Sequence, residues 1–238
     1  MAQVQHAYRQ VEREGKMAAQ TARGHKKGMG MEGPIATWYA KNTRKNLADY
    51  KADAKKIAGL VAEGASILEV APGPGFTAIE LAKLGRYQIT GLDISTTFVD
   101  IARANAKEAR VDIDFQHGDV AQMPFADDSF DFIYCRAAFK NFAAPVEALN
   151  EMYRVLKPGG KASIVDLRGD VSMEAINHHV NEMGVSGINK LMTKWAFKFM
   201  LVKQAYTQDQ FMEFVAKSKF GKCEILPDEI GVDVRLEK

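Results

Sequence analysis

From residue 66 to about residue 167, short apolar runs alternate with longer stretches in which apolar residues recur at helical spacing. This alternation predicts strands joined by helices, and therefore an α/β domain with a doubly wound, mostly parallel sheet. Two further apolar runs near the end of the chain have only Pro227 to Ile230 between them. They must pair antiparallel, because a parallel pair needs a crossover of about a dozen residues. The seven predicted strands are Ser66–Val70, Gln88–Leu92, Ile113–His117, Phe130–Cys135, Lys161–Leu167, Cys223–Leu226 and Gly231–Leu236.

Two helical segments fall outside this alternation. Residues 1–62 are predicted to form a helical N-terminal extension, in which Ile35 to Ala62 is helical and Arg23 to Pro34 is a mobile link rich in Gly and Lys. Residues 63–238 form the sheet domain. Within it, residues 171–204 predict two helices with no strand between them, and therefore a helical lid inserted after the fifth strand.

Composition narrows the class of protein. The chain has 238 residues, of which 47% are hydrophobic, and this apolar content excludes wholesale disorder. No uncharged apolar stretch approaches the roughly 20 residues that span a bilayer, so no stable membrane insertion is expected. Without the apolar core of a secretory signal, a cytoplasmic location is predicted. Two separate cysteines, Cys135 and Cys223, make neither a disulfide framework nor a zinc site, and no metal site is predicted.

The charge of the chain is uneven. Residues 1–56 carry twelve Lys/Arg and five Asp/Glu, a net charge of +7, so the remainder carries −5 of the total of +2. A basic arm of this kind is able to contact nucleic acid. The basic residues are spread out without interleaved aromatic residues, which favours a solvated helical face, and no nucleic acid partner is expected.

The candidate chemistry begins with a glycine-rich turn after the first strand. Gly73 and Gly75 allow a tight turn and a close approach of a ligand to the backbone, and the helix that follows offers free N–H groups. Asp93, eighteen residues after Gly75, ends the second strand, where a carboxylate accepts hydrogen bonds from ribose hydroxyls of NAD or of an adenosyl cofactor. Glu69 lies in the same turn, and its charge would repel a dinucleotide pyrophosphate but attract a cationic sulfonium.

Together these residues resemble class I S-adenosylmethionine-dependent methyltransferases, and within them the ubiquinone/menaquinone C-methyltransferase-like group of small-molecule enzymes. The resemblance covers about residues 60–236 and implies the strand order 3-2-1-4-5-7-6 with strand 7 antiparallel. It is carried by Glu69–Gly75, Gly91–Ser95, Gly118–Val120, Pro124–Asp131 and Arg154–Gly160.

The resemblance implies a set of cofactor contacts for S-adenosylmethionine. Glu69 would lie near the methionine amino group, Gly73 and Gly75 beneath the methionine part, and Asp93 at the ribose. The adenine would meet Ile94, Asp119 and Val120. Further residues predicted in the cofactor site are Ala71, which replaces the commoner first glycine, Gly118 and Arg136.

The predicted acceptor is a small, partly apolar organic molecule, and its methylated atom and the oligomeric state are left open. After the fourth strand, where related enzymes often carry a His, this chain has Arg136-Ala137-Ala138-Phe139-Lys140-Asn141-Phe142. Residues 1–62 are predicted to close over the cofactor. The alternatives are an RNA-directed methyltransferase, a cofactor-binding protein without transfer activity, and another use of the fold such as a pericyclase. The candidate catalytic residues are Tyr39, Lys140, Asp166, Arg168, His178 and His179.

Overall fold

The structure is a computed structural model that describes residues 30–182 and 202–238. It contains a seven-stranded sheet in the order β3-β2-β1-β4-β5-β7-β6. The strands are β1 Ser66–Val70, β2 Gln88–Asp93, β3 Asp114–His117, β4 Phe130–Arg136, β5 Leu156–Leu167, β6 Glu224–Pro227 and β7 Gly231–Glu237. The described α-helices are α1 Gly33–Thr43, α2 Leu47–Ala58, α3 Phe76–Ala82, α4 Thr96–Ala109, α5 Pro145–Val155, α6 Met173–Glu182 and α7 Gln208–Lys217.

The sheet confirms the predicted fold class and strand order. Strands β1 to β5 pair in parallel, whereas β7 lies antiparallel between β5 and β6. The short link between the last two strands imposes this hairpin, as the spacing predicts. From β1 the chain adds β2 and β3 on one side of the sheet and then crosses to place β4 and β5 on the other side. A doubly wound sheet opens a crevice for a ligand at this point between β1 and β4.

Apolar side chains fill both faces of the sheet. One cluster lies under α2, α3 and α4, and includes Ile57, Ile67, Leu81 and Phe115. The other lies on the opposite face and joins β1, β4, β5 and β7 to α5 and α7. Because both faces are covered, the central strands are apolar nearly throughout. Glu69 of β1 and Asp93 of β2 are exceptions, and both lie near the carboxyl ends of their strands.

Local signals set several helix ends. Ser95 caps α4, its hydroxyl accepting a hydrogen bond from the Phe98 N–H at 3.0 Å, and Arg110 ends the helix in the left-handed region. Thr207 and Gln210 form a capping box at the start of α7. These are the side-chain types that satisfy free backbone groups at helix termini.

The structure departs from the sequence predictions in three places. The single helix predicted over Ile35 to Ala62 is two helices, α1 and α2, joined by a 3-10 turn at Arg44–Asn46. The Asn42 and Thr43 side chains there bond back to backbone carbonyls of α1, a competition that weakens helices. Strand β5 begins at Leu156 rather than Lys161, because Leu156 pairs with Phe130 and the Gly159–Gly160 backbone pairs with Lys238.

The third departure lies in the predicted mobile link, whose last residues are held against α4, as described below. The second predicted lid helix lies outside the described residues. Within residues 30–182 and 202–238, no helix is long and apolar enough to cross a membrane.

Candidate functional site

A pocket opens at the carboxyl ends of β1, β2 and β4, at the switch point of the sheet. Ten of the residues predicted for the site line it together. They are Tyr39, Glu69, Ala71, Gly73, Asp93, Ile94, Gly118, Asp119, Val120 and Arg136. The topology thus gathers residues from the carboxyl ends of β1 to β4 and the turns that follow them, as expected for parallel strands whose carboxyl ends share one edge, and helix α1 adds Tyr39.

The turn after β1 forms the floor of the pocket. Ala71, Gly73 and Gly75 have φ angles of 54°, 54° and 77°, in the left-handed region that favours glycine. Ala71 therefore bears a conformational cost at this point of roughly 1 kcal/mol. At Gly75 a Cβ atom would come within 2.7 Å of the Phe115 ring. Only glycine therefore allows the turn to pack this closely against Phe115, and α3 begins directly after it.

Glu69 is the most unusual polar group in the pocket. Its side chain is buried, and its Oε2 atom has no hydrogen-bond partner. Burial raises the pKa of this carboxyl from 4.5 to about 8, although a hydrogen bond from the Ala78 backbone opposes the shift. A buried carboxylate without a partner is costly, and a cation placed in the pocket would remove that cost.

Asp93 combines a structural and a binding capacity. Its Oδ2 accepts a hydrogen bond from the Gly73 N–H at 2.9 Å, and its Oδ1 accepts one from the Ser95 N–H at 2.9 Å. Each carboxylate oxygen accepts about two hydrogen bonds, so both oxygens keep capacity toward the pocket. Asp119 uses Oδ1 in the same way, for the Ala121 N–H at 2.9 Å. Ile94, 36% exposed although apolar, offers a flat surface beside them.

Helix α2 places Tyr50 in the pocket and Asp53 behind the pocket residue Arg136, and neither is among the residues predicted for the site. Asp53 pairs with Arg136, its Oδ2 lying 2.5 Å from the arginine Nε, and the Arg136 guanidinium lies 5.5 Å from the centre of the Tyr50 ring. Three residues further along, Lys56 donates to Asp233 of β7 at 2.8 Å. The spacing of Asp53 and Lys56 in the sequence places both on one helical face. Their partners cannot be found in this way, because they are 83 and 177 positions away in the chain.

Residues 30–32 run across the end of β2, and we refer to them as the strap. The Glu32 carboxylate accepts hydrogen bonds from the backbone N–H groups of Thr96 and Thr97, at 3.0 and 3.1 Å. The Ser95 hydroxyl donates to the Met31 carbonyl at 2.6 Å. Gly30 and Met31 line the pocket beside Ile94, so the strap forms part of its wall.

The candidate catalytic residues beyond β4 and β5 are already paired within the protein. Lys140 Nζ lies 2.9 Å from Asp166 Oδ1, and the Asp166 side chain is fully buried. Arg168 Nη1 lies 3.7 Å from Asp170 Oδ1, and its Nε atom is buried without a hydrogen-bond partner among the described residues. None of the three lines the pocket described above.

The two histidines of the predicted lid lie on α6. His178 is exposed, with Nδ1 2.5 Å from Glu229 Oε1, and His179 is half-buried. The structure brings Glu182 to the same place, so that His178, Glu182 and Glu229 each offer a ligand atom within 4.8 Å of the others. Glu182 is four residues from His178 on the same helix, whereas Glu229 comes from the distant β6–β7 turn. All three groups are exposed, and they lie outside the pocket.

Comparison with known proteins agrees with this geometry. Residues 68–164 match the family model described as a methyltransferase domain. The chain is 39% identical over 101 residues to a demethylmenaquinone methyltransferase of Deinococcus radiodurans, a match that covers 42% of each chain. It is 39% identical over 104 residues to a ubiquinone/menaquinone biosynthesis C-methyltransferase of Bdellovibrio bacteriovorus, covering 43% of this chain and 44% of that protein. These matches thus span less than half the length of either relative.

A solved structure shows the same fold. A candidate S-adenosyl-L-methionine-dependent methyltransferase of Methanococcus maripaludis superposes with a TM-score of 0.69 at 22% identity, over 89% of this chain and 97% of that one. The predicted resemblance is thereby confirmed: residues 68–164 match a methyltransferase domain, and the chain shares the fold of a candidate S-adenosyl-L-methionine-dependent methyltransferase.

Proposed function

We propose, from the methyltransferase domain at residues 68–164, that this protein transfers a methyl group from S-adenosylmethionine to a small organic acceptor. The observation that carries the proposal is the buried, unpartnered Oε2 of Glu69 on the floor of the pocket. A cationic ligand would favour the charged form of this carboxyl and pair with it, whereas the pyrophosphate of a dinucleotide would repel that charged form. The pocket therefore favours a sulfonium amino acid cofactor over NAD.

The remaining pocket residues fit the same cofactor. Glu69 would hold the methionine ammonium group and Arg136 the carboxylate. Asp93 would accept the ribose hydroxyls with its remaining lone pairs, while Asp119 would accept the amine of the adenine. Ile94 and Val120 would contact the ring faces. Each of these residues lines one continuous pocket, so one extended molecule is able to reach all of them.

The bound cofactor supplies a methyl group that is already electrophilic. The task left to this chain is to orient the acceptor and exclude water, which accounts for much of the rate of an in-line transfer. Tyr39, Phe98 and Phe142 give the pocket an aromatic wall. That wall suits a partly apolar, planar acceptor.

We infer a quinone-type acceptor in its electron-rich, reduced form. Two relatives are named for menaquinone or ubiquinone methylation, and the aromatic wall is consistent with such a ring. Lys140, Asp166 and Arg168 are engaged with other protein groups, so a strong base is not evident among the candidate catalytic residues beyond β4 and β5. An acceptor that is nucleophilic without such a base fits this arrangement.

We further propose that residues 1–62 close over the cofactor. Tyr39 and Tyr50 of this segment line the pocket, and the strap lies beside Ile94 and Asp93. The proposal predicts that S-adenosylhomocysteine, the demethylated cofactor, protects sites within residues 1–45 from limited proteolysis. Equal cleavage with and without this ligand would contradict the closing role.

Calorimetric titration tests the proposed function. S-adenosylhomocysteine should bind to the protein, and NAD should not compete with it. Transfer of labelled methyl from S-adenosylmethionine to a short-chain naphthohydroquinone, and its dependence on the acceptor's own pKa across a series, would test the acceptor class. Preference for NAD would overturn the cofactor assignment. Binding without transfer to any acceptor of a mixed library would favour a binding protein instead.

A further inference from the structure

We propose that the buried Lys140–Asp166 ion pair is a positioning device that fixes the loop of residues 137–144 as the acceptor-side wall of the pocket. Both residues are candidate catalytic residues from the sequence; the geometry points to a role exerted through the loop instead. The inference rests on the proposed function, because the loop matters to turnover only if the pocket receives an acceptor.

The pair is fully engaged on both sides. Lys140 Nζ donates to Asp166 Oδ1 at 2.9 Å and to the Ala137 carbonyl at 2.7 Å. Asp166 also accepts hydrogen bonds from the backbone N–H of Lys140 at 3.1 Å and of Leu167 at 2.8 Å. The Asp166 side chain is 0% exposed and that of Lys140 is 10% exposed. Neither side chain is therefore free to hold a substrate or exchange a proton with it.

The pair connects the turn that follows β4 to the end of the neighbouring strand β5. Ala137 follows β4 with a φ angle of 56°, and its N–H donates to the Val165 carbonyl of β5 at 2.7 Å. The chain then makes a 3-10 turn at Phe139–Asn141, which contains Lys140. Through Lys140, the turn is tied both to its own start at Ala137 and to the end of β5 at Asp166.

The loop of residues 137–144 forms a wall of the pocket. Six of its eight residues line the pocket: Ala137, Ala138, Asn141, Phe142, Ala143 and Ala144. The Asn141 side chain lines the pocket and has no hydrogen-bond partner within residues 30–182 and 202–238. The two residues of the loop outside the wall, Phe139 and Lys140, are buried and anchor it.

An ion pair is a costly way to gain stability, because two charges lose their hydration. It does impose a single geometry, and breaking it by removing one partner leaves the other charge buried. A neutral replacement of both partners avoids that penalty. This difference separates a positioning role from a direct catalytic role.

The test uses Lys140→Met, Asp166→Asn and the double variant in the full chain. The matched control is Lys157→Met with Asp131→Asn, a second Lys–Asp pair at the opposite edge of the sheet, with Nζ 2.8 Å from Oδ2. Hydrogen–deuterium exchange of amides 137–144, calorimetric binding of S-adenosylhomocysteine and labelled-methyl transfer to a naphthohydroquinone are measured for each protein.

Each single variant should speed exchange of amides 137–144 by about tenfold or more, because it leaves one buried charge without its partner. It should also lower kcat/KM for the acceptor by about 100-fold, the order of effect of a 1 Å misplacement. The double variant should recover at least tenfold of that loss and most of the exchange protection. The control pair should change neither measurement.

A double variant no more active than the worse single variant, or a pH profile that loses one limb in Asp166→Asn alone, would overturn the positioning role. If the single variants fold poorly, the double variant still decides, because it buries no unpaired charge. Failure of the wild-type protein to bind S-adenosylhomocysteine would instead refute the proposed function, and the exchange measurement would still test whether the pair holds the loop.

Discussion

The charged groups at the carboxyl ends of the strands differ between β1 to β3 on one side and β4 and β5 on the other. At the ends of β1 to β3, Glu69 has a buried oxygen without a partner, and Asp93 keeps lone pairs toward the pocket. At the ends of β4 and β5 and in the following segment, Lys140 faces Asp166, and His178 faces Glu229. The first half contains a carboxylate oxygen that has no partner without a ligand, whereas these charged groups of the second half already pair within the protein; the Arg168 Nε atom is the exception named above. A charged residue in a pocket region is thus informative only once its partners are known.

The contrast makes its strongest prediction for stability. Lys140→Met should lower the free energy of unfolding by about 3–5 kcal/mol, because it leaves the Asp166 carboxylate buried and unpaired. Lys157→Met, whose pair with Asp131 is 38% and 41% exposed, should cost about 0–1 kcal/mol. Urea denaturation measures both. Equal small losses would show that the buried Lys140–Asp166 pair does not hold the protein together.

In the cofactor half, affinity should suffer instead. Asp93→Ala removes the acceptor proposed for the ribose and the support of the Gly73 and Ser95 N–H groups, so S-adenosylhomocysteine should bind about 100-fold more weakly, as expected for two hydrogen bonds to a charged group. Asp100→Ala, at a side chain of α4 that is 79% exposed, is the control and should bind normally. Calorimetry compares the two variants.

Glu69→Gln sharpens the contrast through its pH dependence. Burial raises the pKa of Glu69 from 4.5 to about 8, so the folded state retains a proton that the unfolded state releases, and this group removes stability progressively as the pH rises from 4.5 to about 8. The glutamine variant should therefore exceed the wild type in stability at pH 9 and match it at pH 4. It should also bind S-adenosylhomocysteine more weakly at pH 8.

Denaturation at several pH values, paired with calorimetry, measures both effects. A variant that loses stability at pH 9 would show that Glu69 already has a partner within the protein, contrary to its role as an unsatisfied group awaiting a cation.

The smallest expected effect concerns the strap. Glu32→Gln weakens the hydrogen bonds to Thr96 and Thr97, because a neutral acceptor binds N–H groups less strongly than a carboxylate. Stopped-flow release of S-adenosylhomocysteine should become a few-fold faster. Glu63→Gln, at an exposed turn after α2, should leave the release rate unchanged. An unchanged rate in both variants would mean that the strap does not limit exit of the ligand.

Several features were predictable because their signals are local. The strands lie close to their predicted positions, since periodicity acts over a few positions. The roles of individual site residues remain predictions, although ten of them do line one pocket. The break at Arg44–Asn46 was missed, because the apolar face continues past it and only the short polar side chains of Asn42 and Thr43 give a signal.

Local sequence specifies the α/β alternation, the left-handed turn at Gly73 and Gly75, and the acidic residues at the ends of β1 and β2, because each depends on neighbours within a few residues. The tertiary structure alone decided which charges are free. Asp53 meets Arg136, Lys56 meets Asp233 and Lys140 meets Asp166 only after the sheet has formed. An ion pair depends on distance in space, and the alternation of strands and helices along the chain does not show which loops and helices will lie at the same edge of the sheet.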